Sequence, residues 1–117
     1  MNLATFELEA GDPAAARQLA RRAIGMWIKG RHETFVHDCF ETLSRVALLE
    51  GAAAHAVALF GFSSRGAFDG PHTGPEQRAF RAHLDALRAA AGARFDAAWR
   101  EGAGWSLAEA LAAEGSG

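Results

Sequence analysis

The residues best suited to chemistry in this sequence are few and far apart. A cysteine nucleophile needs a base within hydrogen-bond reach, and Cys39 has only His37 and His83 as candidate partners. His37 is two positions away, and residues at i and i+2 of a helix do not face each other. His32 and His37, five apart, share a helical face no better. No Cys-x-x-Cys or His-Glu-x-x-His spacing occurs, so local motifs write no zinc site. Cys39 itself falls mid-helix among apolar neighbours, where a thiol stays protonated and inert. Ser106 can be paired with His72 on paper, but its place ahead of a helix makes it a cap. Without a paired acid–base constellation the chain is expected to be non-enzymatic and to carry no cofactor or metal. The alternative is a small α-helical enzyme or metal-binding protein using His37, Cys39 or His83.

Charge offers a second kind of chemistry. Arg17, Arg21 and Arg22, followed by Lys29 and Arg31, make one segment locally basic, and Arg17 and Arg21 share a helical face at i, i+4. Over the whole chain, however, 12 Lys and Arg stand against 14 Asp and Glu, for a formal net charge of −2. A dedicated nucleic-acid binder is usually distinctly basic, and no aromatic alternation here offers a stacking platform. Direct nucleic-acid binding is therefore not expected. The arginines read as a solvated face whose stems cover alanine-rich surface. Trp27, near the end of the same segment, marks a contact surface if it is exposed.

The elements that must position these groups are helical. The 117 residues include 28 Ala against two Ile, three Val and four Thr. Alanine is the best helix former and β-branched residues favour strands, so the chain is read as all-α with no sheet. A single Cys excludes an internal disulfide and fits a reducing, cytoplasmic compartment. No apolar run approaches the ~18 residues of a membrane span. The spacing predicts one helix from Asp12-Pro13 to about Gly30, with Ala16, Leu19, Ala20, Ala23, Ile24, Trp27 and Ile28 on one side. A second, from about His32 to Glu50, carries Phe35, Cys39, Leu43 and Val46 on one stripe and Val36, Phe40 and Ala47 on another. A helix apolar on two faces is sandwiched between neighbours. The next helix begins near Ala52 and fades at Gly61. Four Gly and two Pro between 61 and 75 predict a linker. Beyond it, a helix from Pro75 to about Gly92 presents Phe80, Leu84, Leu87 and Ala91. Phe95 and Trp99 then pair at i, i+4. Ser106-Leu107-Ala108-Glu109 reads as a capping box, and residues from Glu114 onward should fray.

An internal repeat organises the first half. At a spacing of 40, Leu3-Ala4-Thr5-Phe6-Glu7-Leu8-Glu9-Ala10-Gly11 aligns with Leu43-Ser44-Arg45-Val46-Ala47-Leu48-Leu49-Glu50-Gly51. Ala14, Ala16 and Leu19 then match Ala54, Ala56 and Leu59. Each copy reads helix, glycine stop, helix, with Gly11 and Gly51 suited to the left-handed position that ends a helix.

Helix pairs with small residues at their crossing resemble tetratricopeptide-type repeats. The longer spacing is similar to the repeats of large signal-transducing ATPase regulators, where ~34 residues is the ordinary tetratricopeptide period. The segment Phe95-Asp96-Ala97-Ala98-Trp99-Arg100-Glu101-Gly102, followed by Trp105-Ser106-Leu107-Ala108-Glu109-Ala110-Leu111, resembles the closing segment of such regions in bacterial LuxR-type and antibiotic-regulatory-type regulators. The likeness departs from the family at Phe60-Gly61-Phe62-Ser63-Ser64, and no phosphate-binding Gly-x-x-x-x-Gly-Lys-Ser/Thr loop occurs. Only six residues follow Leu111, too few for a DNA-reading segment.

The resemblance implies antiparallel helix-hairpin repeats forming an α-α superhelix: repeat one over 1–30, repeat two over 31–66, a linker over 67–75, and C-terminal capping helices over 76–114. It implies a protein-interaction or effector-sensing module, the tail of a transcriptional regulator in signal transduction. Its partner would be its own upstream ATPase or regulatory domain, or a second copy of itself. Two repeats leave an open end, so Leu3, Phe6 and Leu8, with part of the Ile24-Trp27-Ile28 surface, are expected to face solvent and to form a homodimer contact around Phe6 and Trp27. Phe95, Trp99, Leu107 and Leu111 should pack onto the last repeat and cap it.

Overall fold

Local signals in the sequence translate directly into helix ends. The computed structural model describes residues 12–30, 33–64 and 74–116, with side chains described from 12–30, 36–64 and 78–114, and among these there is no strand. Among the described residues six α-helices follow one another: α1 (Pro13–Lys29), α2 (Glu33–Leu49), α3 (Ala53–Ser63), α4 (Gly74–Ala91), α5 (Phe95–Ala103) and α6 (Leu107–Ser116). A single 3-10 turn, Gly92–Arg94, joins α4 to α5.

Helix α1 opens as its sequence dictates. Asp12 accepts a 3.0 Å hydrogen bond from the Ala15 amide, and Pro13 occupies the first turn, where no amide donor is missed. Its inward stripe is Ala16, Ala20 and Ile24, the first two without any exposed surface. Of the Ile24-Trp27-Ile28 surface, part of which is expected to face solvent, Ile24 is covered by α2. Trp27 is half-buried and packs against the core, while Met26 and Ile28 are exposed.

Helix α2 is buried on two sides, with Val36, Cys39, Phe40, Leu43, Val46 and Ala47 all in the core. It ends at Gly51, whose φ of +83° is the left-handed conformation a side chain would strain. The Ala52 amide donates to Ala47 O at 2.9 Å and the Gly51 amide to Leu48 O at 3.1 Å, which satisfies two carbonyls of the last turn. The turn reverses the chain, so α3 runs antiparallel to α2. The corresponding position of the first repeat copy, Gly11, lies outside the described residues.

Helix α3 is the centre of the molecule. From Ala56 to Ser63 every residue is buried, because α2 covers one side and α5 the other. This corrects the reading of residues 61–63 as the start of a linker. Gly61 and Phe62 are helical and interior, and the glycine serves close packing instead of a turn. A Cβ on Gly61 would lie 2.7 Å from the Trp99 carbonyl oxygen, and one on Gly102 would collide with the Ala58 carbonyl. Two glycines on opposite helices thus let the α3 and α5 backbones touch.

Helix α4 lays Leu87 and Ala91 into the core with Phe80 and Leu84 partly buried, as its periodicity predicts. In α5, Phe95 and Trp99 stack with ring centroids 5.7 Å apart, and Trp99 meets Phe60 of α3 edge-on at 6.0 Å. Ser106 and Glu109 form the anticipated reciprocal cap: the Ser106 amide donates to Glu109 at 3.0 Å and the Glu109 amide donates to Ser106 at 3.1 Å. Those bonds to Ser106 hold the Glu109 carboxyl below its usual range. Leu107 packs on the core, but Leu111 is exposed and does not share the capping role expected of it.

Candidate functional site

Three places in the fold bring polar side chains together, and they differ in what they can do. The first is interior. Ser44 of α2 is fully buried and donates its proton to Ala56 O of α3 at 2.7 Å. His83 Nε2 of α4 lies 2.9 Å from the same hydroxyl. A serine hydroxyl has one proton to give. With that proton on the Ala56 carbonyl, the His83 Nε2–H is the donor and Ser44 the acceptor. A serine nucleophile needs the opposite polarity, with the imidazole accepting the hydroxyl proton. Burial, reinforced by the Arg45 charge, pushes His83 down to about 4, so the ring is neutral at pH 7. Phe60 meets it edge-on at 4.8 Å. The arrangement is a polar pin joining α2, α3 and α4.

His37 has a comparable place. Its Nδ1–H donates to Phe62 O at 3.0 Å, near the end of α3, and its ring stacks on Phe62 at 4.6 Å. A carbonyl in the last turn of α3 thus accepts a side-chain donor from α2. Cys39 is buried one turn from Leu43 and forms no hydrogen bond among the described residues; burial, with a contribution from Asp38, raises its thiol to about 11. Cys39, His37 and His83 are therefore placed in separate roles and not brought together as a reacting group. His32 and His72 lie outside the described residues. Among those described, no group of three or more His, Cys, Asp or Glu side chains is placed to hold a metal ion.

The second place is an ion cluster at the end of the molecule where α1 and α3 begin. Glu114 of α6 is only 4 % exposed. Arg21 Nη2 lies 3.1 Å from its Oε1 and also donates to the Glu114 backbone carbonyl at 3.1 Å. Arg17 Nε stands 3.5 Å from the carboxylate, and His55 Nε2 3.4 Å. Arg17 further grips Glu50 with both terminal nitrogens, one of them at 2.9 Å. Burial alone would push Glu114 up, but hydrogen bonds from His55 and Arg21 outweigh it and hold the carboxyl below its ordinary value. The same pairing holds Glu50 down and Arg17 up, in each case chiefly through their mutual hydrogen bond.

This cluster corrects one expectation and gives partners to two candidate residues. Arg17 and Arg21, candidates for contact with a partner, pair with carboxylates of their own chain. Glu114, expected to fray, is clamped, because α6 returns across the start of α1. The signal is in the sequence as a second acid, five residues after the capping Glu109, in a helix whose other residues are mostly alanine and leucine. Ser44 carried a signal too: it stands where the first repeat copy has Ala4, and His83 falls on the apolar stripe of α4.

The third place is on the surface. Helices α4 and α5 enclose an open cleft of about 430 Å³. Phe80, Leu84, Phe95 and Trp99 form its apolar floor, and Arg88, Arg100 and Asp96 stand at its rim. The Arg88 guanidinium lies over the Phe95 ring, 5.1 Å from its centre. Phe95 and Trp99, expected to cap the last repeat, pack against the core on one side and line this cleft on the other. Trp27 sits at the far end of α1, and Phe6 is outside the described residues.

The described residues thus define an all-α domain in which no helix is long and apolar enough to cross a membrane. Comparison with protein-family models, with curated proteins and with solved structures finds no match to the chain.

Proposed function

We propose that this chain is a non-enzymatic, tetratricopeptide-like interaction module, the C-terminal part of a cytoplasmic bacterial transcriptional regulator. The observation that carries the interaction reading is the α4–α5 cleft, an aromatic-floored surface between two helices with charged side chains at its rim. Helical-repeat proteins bind partners on surfaces of this kind, and sites for ligands between packed helices are common. The polarity of the Ser44–His83 bond and the high thiol value of Cys39 favour structural over catalytic roles for the interior groups. In support of the repeat reading, α2 and α3 form a hairpin around Gly51, and Ala16 and Ala56, the small residues aligned between the two copies, are both fully buried. The partner on this reading is the regulator's own ATPase or regulatory segment, or a second copy docking at the exposed end of α1 near Met26 and Ile28.

Unbiased peptide display against the purified chain tests the proposal. Selected peptides should share a short consensus and bind one per chain. Metal bound stoichiometrically, or a turnover lost on replacing Cys39 or His83, would contradict it in favour of an enzyme or metal protein.

A further inference from the structure

The segment from Arg78 to Arg100, bounded by Glu76 and Glu101, has a charge opposite to that of the molecule. From Arg78 to Arg100 the sequence holds five arginines (78, 81, 88, 94 and 100) and two aspartates (85 and 96), against a formal −2 for the whole chain. All seven are exposed. Arg88, Arg100 and Asp96, which flank the cleft, form no ion pair among the described residues, in contrast to Arg17 and Arg21. Guanidinium groups left without carboxylates can pair with those of a partner, and the aromatic rings beside them can take an apolar side chain.

Resting on the interaction-module reading, we propose that the α4–α5 cleft binds an acidic peptide segment that inserts one aromatic side chain, with flanking carboxylates paired to Arg88 and Arg100. Phe80, Phe95 and Trp99 receive the ring. The cleft volume, about 430 Å³, lies within the ~300–1,000 Å³ usual for ligand sites. It is open along one side, so a small molecule would keep much of its surface in water, whereas a peptide continues its contacts along both helices. Asp96, in the first turn of α5, is favoured there by the helix dipole and sets a limit on how close a second carboxylate comes.

Fluorescence anisotropy of the full chain with a fluorescein-labelled peptide, a single phenylalanine among glutamates, tests the proposal. Binding should weaken about tenfold or more in Arg88→Glu and in Arg100→Glu, and less in Arg88→Lys. Both arginines are exposed, and circular dichroism should show the variants folded. Binding should also weaken with added salt and vanish when the phenylalanine is replaced by alanine or the glutamates by lysine. Equal binding of the lysine or alanine peptide, or of a single-stranded oligonucleotide, overturns it. Display-selected peptides that bind the variants as tightly as the parent overturn the cleft assignment and leave the interaction module standing; selection that yields no binder removes both.

Discussion

His83 shows how a residue that looks reactive in a sequence becomes structural in a fold. A free imidazole takes up its proton near 6.5, and this one does so at about 4. Between those values the unfolded chain binds a proton that the native chain does not. The stability from the neutral ring is therefore complete above about pH 6.5 and declines as pH falls toward 4, by up to about 3 kcal/mol. Glu114, whose native value is depressed, adds a second loss at lower pH, as the solution falls through its native value. Urea midpoints measured from pH 4 to 8 should show the first slope. His83→Gln, which keeps a donor for Ser44, should flatten it. Cys39, with its thiol at about 11, should react with a thiol reagent more than about a hundredfold slower in the native than in the unfolded chain. The burial of Cys39 is legible from its apolar neighbours in sequence. The Ser44–His83 bond was not, because it joins residues 39 apart whose meeting depends on how α4 lies across α2 and α3.

At the scale of elements, the sequence is most readable where a local signal acts alone. Asp12-Pro13, Gly51 and Ser106–Glu109 each set a helix end through bonds within a few residues, and each lies where expected. Glycine misleads elsewhere because the same residue serves turns and close packing. Gly61 reads as a helix ending, yet its missing side chain admits the Trp99 carbonyl. Three substitutions separate these uses by their effect on the denaturation midpoint. Gly102→Ala forces a methyl group into the Ala58 carbonyl and should cost about 3 kcal/mol, the upper range for overpacking. Gly51→Ala strains a left-handed residue and should cost about 1–2 kcal/mol. Gly25→Ala, in an exposed part of α1 with nothing within 4 Å, should instead stabilise by about 0.5–1 kcal/mol. A neutral result at Gly102 would mean that α3 and α5 do not touch.

Across the whole molecule, polar side chains fall into two populations. Among the described residues, His37, Ser44, His83 and the cluster around Glu114 fasten one helix to another, while Arg88, Asp96 and Arg100 beside the cleft form no ion pair. The fastening has its own test. Glu114→Gln keeps the size of the side chain and removes the charge that Arg17, Arg21 and His55 converge on. Because the arginines are partly solvated, the loss should be modest, about 1–2 kcal/mol. Hydrogen exchange should rise in α6 first. Unchanged exchange over 107–114 would mean that α6 is held by Ala110 and Leu107 alone. An NMR titration with a display-selected peptide distinguishes a chain that acts by its surface from one that acts by interior chemistry. Saturable shifts should be confined to α4 and α5, centred on the Trp99 indole and the Arg88 and Arg100 side chains, with Ser44, His83 and Cys39 unmoved. Shifts centred on those three interior residues, or turnover of the added peptide, would contradict the surface reading.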